Sequence, residues 1–215
     1  MNLQQFAPLA MRTAKIMREE DMIAHGAMGC CTEAGEVAET VCKLMATLTC
    51  DRENIREELG DGAWFGIYTA CAVGVEPEGL DSVLARIQRT QSANGVVPVV
   101  AYLTLQYCAA AEKVGTLAKA HRYYDKPLDI EAMRTALSTF FMALDALAGA
   151  LEFELSEILE ANVAKLSKRY PDKYSDAAAI ARADKEIDAE PSFIASQIIE
   201  PSEAAHASEP EGGAQ

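Results

Sequence analysis

GCCTEAGEVAET (residues 29–40) and REELGDGAW (residues 56–64) decide the fold. In the first, Ala34, Val37 and Ala38 recur at the three- and four-residue spacing of one helical face; Leu59 and Ala63 do so in the second. Neither stretch alternates as a strand would. Outward from them the same spacing runs along nearly the whole chain, so the expected fold is all-α, a helical bundle. Helices are expected over residues 2–20, 22–48, 52–74, 78–90, 99–123, 129–151 and 155–169, with Asp51 and Asp129 as N-caps. The break at Ser92-Ala-Asn-Gly95, with Pro98 close behind, is the clearest internal punctuation. It divides residues 1–95 from residues 96–186, and the acidic stretch 187–215, rich in Ala, Pro, Ser and Glu, is expected to be disordered.

With half of its 215 residues apolar, the chain can bury one large or two small cores. A net charge of −14 opposes the counterion release that drives binding to a phosphate backbone, so nucleic acid is not an expected partner. A small polyanion can still dock where bound cations invert the local field. Six cysteines without CxxC spacing lie mostly in apolar helical patterns and read as reduced thiols of a cytoplasmic protein. The N-terminal MNLQQFAPLAMRTAK lacks the apolar core of a signal peptide, and no stretch approaches the roughly 20 apolar residues of a span, so no membrane partner is expected.

The two halves read as a diverged tandem repeat. At an offset of 77, Cys31, Ala34 and Val37 fall on Cys108, Ala111 and Val114; at 78, Leu59, Ala70 and Glu76 fall on Leu137, Ala148 and Glu154. The alternative is that any two amphipathic helix pairs match this way, since identities among Ala and Leu are cheap.

The chemistry concentrates in the first half. Glu33 and Glu36 are three apart, as are Glu58 and Asp61, which puts each pair on one helical face. Facing each other across an antiparallel hairpin, the pairs would converge four carboxylates, a hard-cation site suited to Mg²⁺ or Mn²⁺. In a chain with 33 acidic residues such a pair usually belongs to a solvated face. The context argues otherwise: Gly35, Gly60 and Gly62 each cost a helix roughly 1 kcal/mol relative to Ala, and they leave room for a partner helix or ligand. The apolar neighbours place these acids at a core's border, where an unpartnered carboxylate is expensive.

His25-Gly-Ala-Met-Gly, then Glu33-Ala-Gly-Glu36-Val, then Glu58-Leu-Gly-Asp61 with Trp64, resemble the signature of the MazG-like all-α nucleoside triphosphate pyrophosphohydrolases. Glu160-Ala-Asn162-Val-Ala-Lys165-Leu-Ser-Lys-Arg169-Tyr170-Pro171-Asp172 resembles that family's last helix. The likeness covers about residues 3–95 and 150–186. It implies a hydrolase that converts a (d)NTP to monophosphate and pyrophosphate, with Mg²⁺ or Mn²⁺ held by Glu33, Glu36, Glu58 and Asp61. Glu36 and Glu58 then become catalytic, with Glu36 orienting water. Lys43, Asn162, Lys165, Arg169, Tyr170 and His25 become substrate contacts. A basic last turn favoured by the helix dipole explains Lys165 and Arg169 equally well, and a structural role explains His25. Phe6, Trp64 and Tyr102 are candidate stacking partners for a base.

The chain departs from that pattern in one respect: about 77 residues separate the second acidic pair from the Asn/Lys helix. On the repeat register the second half carries Ala110, Lys113, Ala136 and Thr139 in place of the four acids, while Ile87 and Thr90 replace Asn162 and Lys165 in the first. These complementary losses imply a fused pseudo-dimer with one composite site. Lys113 would offer its ammonium in the vacated one, and the chain would assemble as a homo-oligomer, a dimer of pseudo-dimers. Whether the Asn/Lys helix completes the site within its own chain or across an interface is open. The family's range implies nucleotide-pool editing in a bacterial or phage-infected cytoplasm. It points to dGTP or GTP, with dUTP, dCTP and phosphoribosyl-ATP as rival substrates and a non-catalytic helical scaffold as the rival class. A di-iron bundle is a poor rival, because it needs Glu-x-x-His pairs and none of His25, His121 and His206 stands three residues from one of the paired acids.

Overall fold

The computed structural model describes residues 1–77, 80 and 96–184. Apart from Leu80, the expected helix over 78–90, the break at 92–95, the positions of Ile87 and Thr90 and the tail beyond 186 lie outside the described residues. Among those described, seven helices and no strand form an all-α bundle: α1 (Leu3–Arg12), α2 (Glu19–Thr47), α3 (Arg52–Ala72), α4 (Val96–Tyr124), α5 (Ile130–Ala150), α6 (Leu155–Arg169) and α7 (Asp176–Ala181). No single helix among them is long and apolar enough to cross a membrane.

Local chemistry sets the boundaries. Asp51 and Asp129 cap α3 and α5 as expected, each accepting a hydrogen bond from the backbone N–H three residues on, at 3.0 Å (Asn54) and 2.9 Å (Ala132). Asn2 and Gln5 close a capping box on α1. The first helix is shorter than its periodicity suggests and ends at Arg12 rather than near residue 20. The cause is tertiary: Trp64 Nε1 donates to Ala10 O (3.1 Å) and Thr13 Oγ1 (2.9 Å), and Tyr68 Oη donates to Lys15 O (2.6 Å). These bonds pin the following segment to α3 in a non-helical path. The short α7, capped by Ser175, follows no periodicity evident in the sequence.

α2 and α3 form one hairpin, α4 and α5 another, and the two pack through α2 on α4. α1 lies on α3, while α6 bridges α3, α5 and α1. Tyr107, Leu137, Phe140 and Phe141 from the second hairpin and Ile55, Leu59, Ile67 and Tyr68 from the first are fully buried. Each contributes roughly 1.5–3 kcal/mol.

The hairpins correspond element by element. α2 and α4 are each 29 residues long and start and end 77 residues apart; α3 and α5 are each 21 residues long, with bounds 78 apart. The residues after α2 and α4, Leu48 and Asp125, are both left-handed (φ 59° and 52°), as are Gly74 (69°) and Glu152 (60°) after α3 and α5. Across the α2–α4 contact, Cys31 Sγ donates to Ala111 O at 3.3 Å and Cys108 Sγ to Ala34 O at 3.4 Å. On the 77 register these are the same contact made twice.

Candidate functional site

α2 and α3 present their acidic residues to each other because the apolar stripes beside them, Ala34 and Val37 on one helix and Leu59 and Ala63 on the other, are buried. Glu33, Glu36 and Glu58 converge so that one oxygen from each lies within 4.8 Å of the others. Glu58 is buried, Glu33 half-buried and Glu36 open to the cleft. Burial first, then the charges of Asp61, Glu58 and Glu36, pushes the Glu33 carboxyl up to about 8. Burial first, then Glu36 and Asp61, pushes Glu58 up to about 7. The two are hydrogen-bonded, the protonated Glu33 carboxyl donating to Glu58. Three oxygen donors at this spacing suit a hard divalent cation, which would replace the shared proton.

Asp61 is not part of this trio. Both its oxygens accept from Lys165 Nζ at 2.6 Å, and Oδ1 also accepts from Asn162 Nδ2 at 2.7 Å. Lys165 reaches Glu57 as well, at 3.2 Å. The Asn/Lys pair on α6 is therefore brought to the first half's acids within the same chain. Gly60 and Gly62 make the approach possible. A Cβ at Gly60 would lie 3.2 Å from Asn162 Cβ, and one at Gly62 would lie 2.1 Å from the Tyr107 hydroxyl. Gly35, by contrast, has nothing within 4 Å.

The acids form one wall of a cleft of about 690 Å³, within the range of small-molecule sites. Its other walls hold His25, Trp64, Phe65, Tyr170 and Tyr174, with Lys15, Arg122, Arg169 and Arg182 around it. His25 stands edge-on to Phe65 and Tyr68, and burial, aided by the Lys15 charge, lowers its pKa, so the ring is neutral at pH 7. Arg169 lines the cleft but clamps Asp184 through Nε (2.5 Å) and Nη2. Tyr170 is buried against Tyr174.

Some expected residues are placed elsewhere. Lys43 is exposed, paired with Glu39 at 2.8 Å, and does not line the cleft, because it sits two turns beyond Glu36 where α2 has left the acidic wall. Phe6 is sealed in the core and Tyr102 is exposed away from the cleft, leaving Trp64 as the one of the three that lines it. In the second half, Ala110 and Ala136 are buried and Lys113 is exposed.

Three contributions went unread in the sequence. Arg12 donates to the carbonyls of Tyr170 (2.9 Å), Pro171 (3.2 Å) and Asp172 (2.6 Å), closing the C-terminus of α6. Arg122 enters the cleft from α4, paired with Asp21 at 3.2 Å. Tyr107, fully buried on α4, ends with its hydroxyl against Gly62 beside Glu33 and Asp61 and has no hydrogen-bond partner among the described residues. The glycine at position 62 announced a close approach; nothing local announced which side chain makes it.

Comparison with protein-family models, curated proteins and solved structures finds no match.

Proposed function

We propose that this chain is a Mg²⁺- or Mn²⁺-dependent nucleoside triphosphate pyrophosphohydrolase of the MazG-like type, releasing a monophosphate and pyrophosphate. The carrying observation is the convergence of Glu33, Glu36 and Glu58 beside an Asp61 that Asn162 and Lys165 hold from the other half of the same chain. The donor set fits the cation: all oxygen, crowded, and protonated at a pH where isolated carboxylates are not.

Bound in this cluster, the cation supplies Lewis-acid charge neutralisation of the triphosphate and lowers the pKa of water. The chain does the rest. Glu36, open to the cleft, orients the attacking water toward the α-phosphorus and accepts its proton. Asn162 and Lys165, fixed on Asp61, hold the phosphate end. Lys15, Arg122 and Arg182 around the cleft steady the leaving pyrophosphate. His25, Trp64 and Phe65 wall the space left for the base. A purine nucleotide, dGTP or GTP, is the substrate assigned from the resemblance.

The fused pseudo-dimer belongs to the same proposal. Matched helix lengths, matched left-handed caps and the reciprocal Cys31–Ala111 and Cys108–Ala34 contacts support it. It yields one nucleotide site per chain, because Ala110 and Ala136 offer no ligand where Glu33 and Glu58 do. Glu36→Gln and Glu58→Gln should each nearly abolish pyrophosphate release while the far-ultraviolet circular dichroism stays helical. Retained turnover in both variants overturns the assignment, and two equivalent metal-dependent nucleotide sites per chain overturn the composite site.

A further inference from the structure

Tyr107 and Asn162 carry the buried side-chain polar atoms that lack a partner among the described residues, the Tyr107 hydroxyl and Asn162 Oδ1. Both lie against α3 at the glycines flanking Asp61. Asn162 is partly satisfied through its amide, which donates to Asp61. The Tyr107 hydroxyl is not satisfied at all, although its side chain is 0 % exposed. A buried hydroxyl without a partner is costly, and a Phe would fill the same space among Cys30, Cys108 and Phe140 without that cost. The donor must therefore meet its acceptor in another state of the site. Carboxylates lie close by: the hydroxyl lies against Gly62, where an added Cβ would also meet Glu33 Cβ, and the charges of Glu33 and Asp61 act on it beside the thiols of Cys30 and Cys108. Donors standing behind metal-binding carboxylates commonly fix their orientation.

Resting on the cation site proposed above, we propose that Tyr107 is a positioning residue of that site: its hydroxyl donates a hydrogen bond to the Glu33 carboxylate when Glu33, Glu36 and Glu58 close on a divalent cation. The second half thereby contributes to the cation site itself and not only to the phosphate end. On the repeat register Tyr107 aligns with Cys30, so the first half has no tyrosine to offer the vacated site, matching the loss of acids there.

The test is Tyr107→Phe in the full chain, titrated calorimetrically with Mn²⁺ alone at a temperature where both proteins are folded, beside thermal melts without and with Mn²⁺. The expected result is a split: Mn²⁺ affinity falls roughly ten- to hundredfold, while the melting temperature without cation is equal to or above that of the wild type because an unpaired hydroxyl is gone. A lower melting temperature without cation, with or without a loss of affinity, makes Tyr107 a packing residue and overturns the proposal. Unchanged affinity overturns it too. If the wild-type chain shows neither Mn²⁺ binding nor a Mn²⁺-dependent melt, the cation site and this role fall together; if the wild type binds and only the Tyr107→Phe result fails, the cation site stands without it.

Discussion

Cation binding should expel between one and two protons at pH 7, a number set by the raised carboxyls of the site. Glu33 is pushed up to about 8 and Glu58 to about 7. At pH 7 the first is then mostly protonated and the second about half, so the pair holds between one and two protons, which the carboxylates must give up to become ligands. Affinity for Mn²⁺ should then rise by more than about tenfold per pH unit from pH 6 to 7, less steeply toward pH 8, and level off above that, since more than one proton is displaced at the lower end. Calorimetric titration in two buffers of different ionisation heat measures the released protons directly. The stability of the cation-free chain carries the same signature. A carboxyl with a raised folded pKa contributes stability in full below its ordinary pKa and loses it as pH climbs through the raised one. The contribution of Glu33 and Glu58 thus fades as pH rises through 7 and 8. His25, whose pKa is lowered, acts in the opposite sense, but only below its ordinary 6.5. Between pH 6.5 and 8.5 the cation-free melting temperature should fall, and saturating Mn²⁺ should remove the fall. Binding heats independent of buffer, with affinity flat from pH 6 to 8, would refute the reasoning.

Other outcomes follow from the same contacts. Gly62→Ala should destabilise the wild type by about 1–3 kcal/mol through overpacking, since its Cβ would lie 2.1 Å from the Tyr107 hydroxyl. In a Tyr107→Phe background the nearest ring atom is 3.4 Å away, so urea unfolding should show most of that loss recovered. Lys165→Met removes the ammonium between Asp61 and Glu57 and should cost about 1–3 kcal/mol without cation, with turnover depressed even when Mn²⁺ restores the melt. Arg12→Ala strips three carbonyls at the end of α6 and should cost a similar about 1–3 kcal/mol, seen as earlier proteolysis near residues 170–175 in a time course against wild type.

How far the fold could be read from sequence depended on whether each signal was local. The caps Asp51 and Asp129 and the ends of α3, α5 and α6 follow from nearby residues, and the expected bounds fall within two residues of those observed. The end of α1 does not, because Trp64, 51 residues from its partner Thr13, decides it. The acidic trio was legible from two i,i+3 spacings plus glycines. Asp61 was legible as an acid at the site, but its commitment to Lys165, 104 residues away, is a tertiary fact that spacing cannot carry. Tyr107 looked like one more aromatic on an apolar helix, and only its meeting with Gly62 distinguishes it. Lys43 lies on the same helix as Glu33 and Glu36 but two turns further on. Phase says which face a residue shares, not how far along the helix the site extends.

The central claim is that these carboxylates and α6 make one site for cutting a nucleoside triphosphate between its α and β phosphates. The most direct measurement is a panel of ribo- and deoxynucleoside triphosphates incubated with the full chain and Mn²⁺, with products resolved chromatographically. The expected products are nucleoside monophosphate and pyrophosphate in equal amounts, largest for dGTP or GTP and absent when the cation is chelated. Release of inorganic phosphate and diphosphate instead, or no turnover of any nucleotide with Mn²⁺ bound, would contradict it.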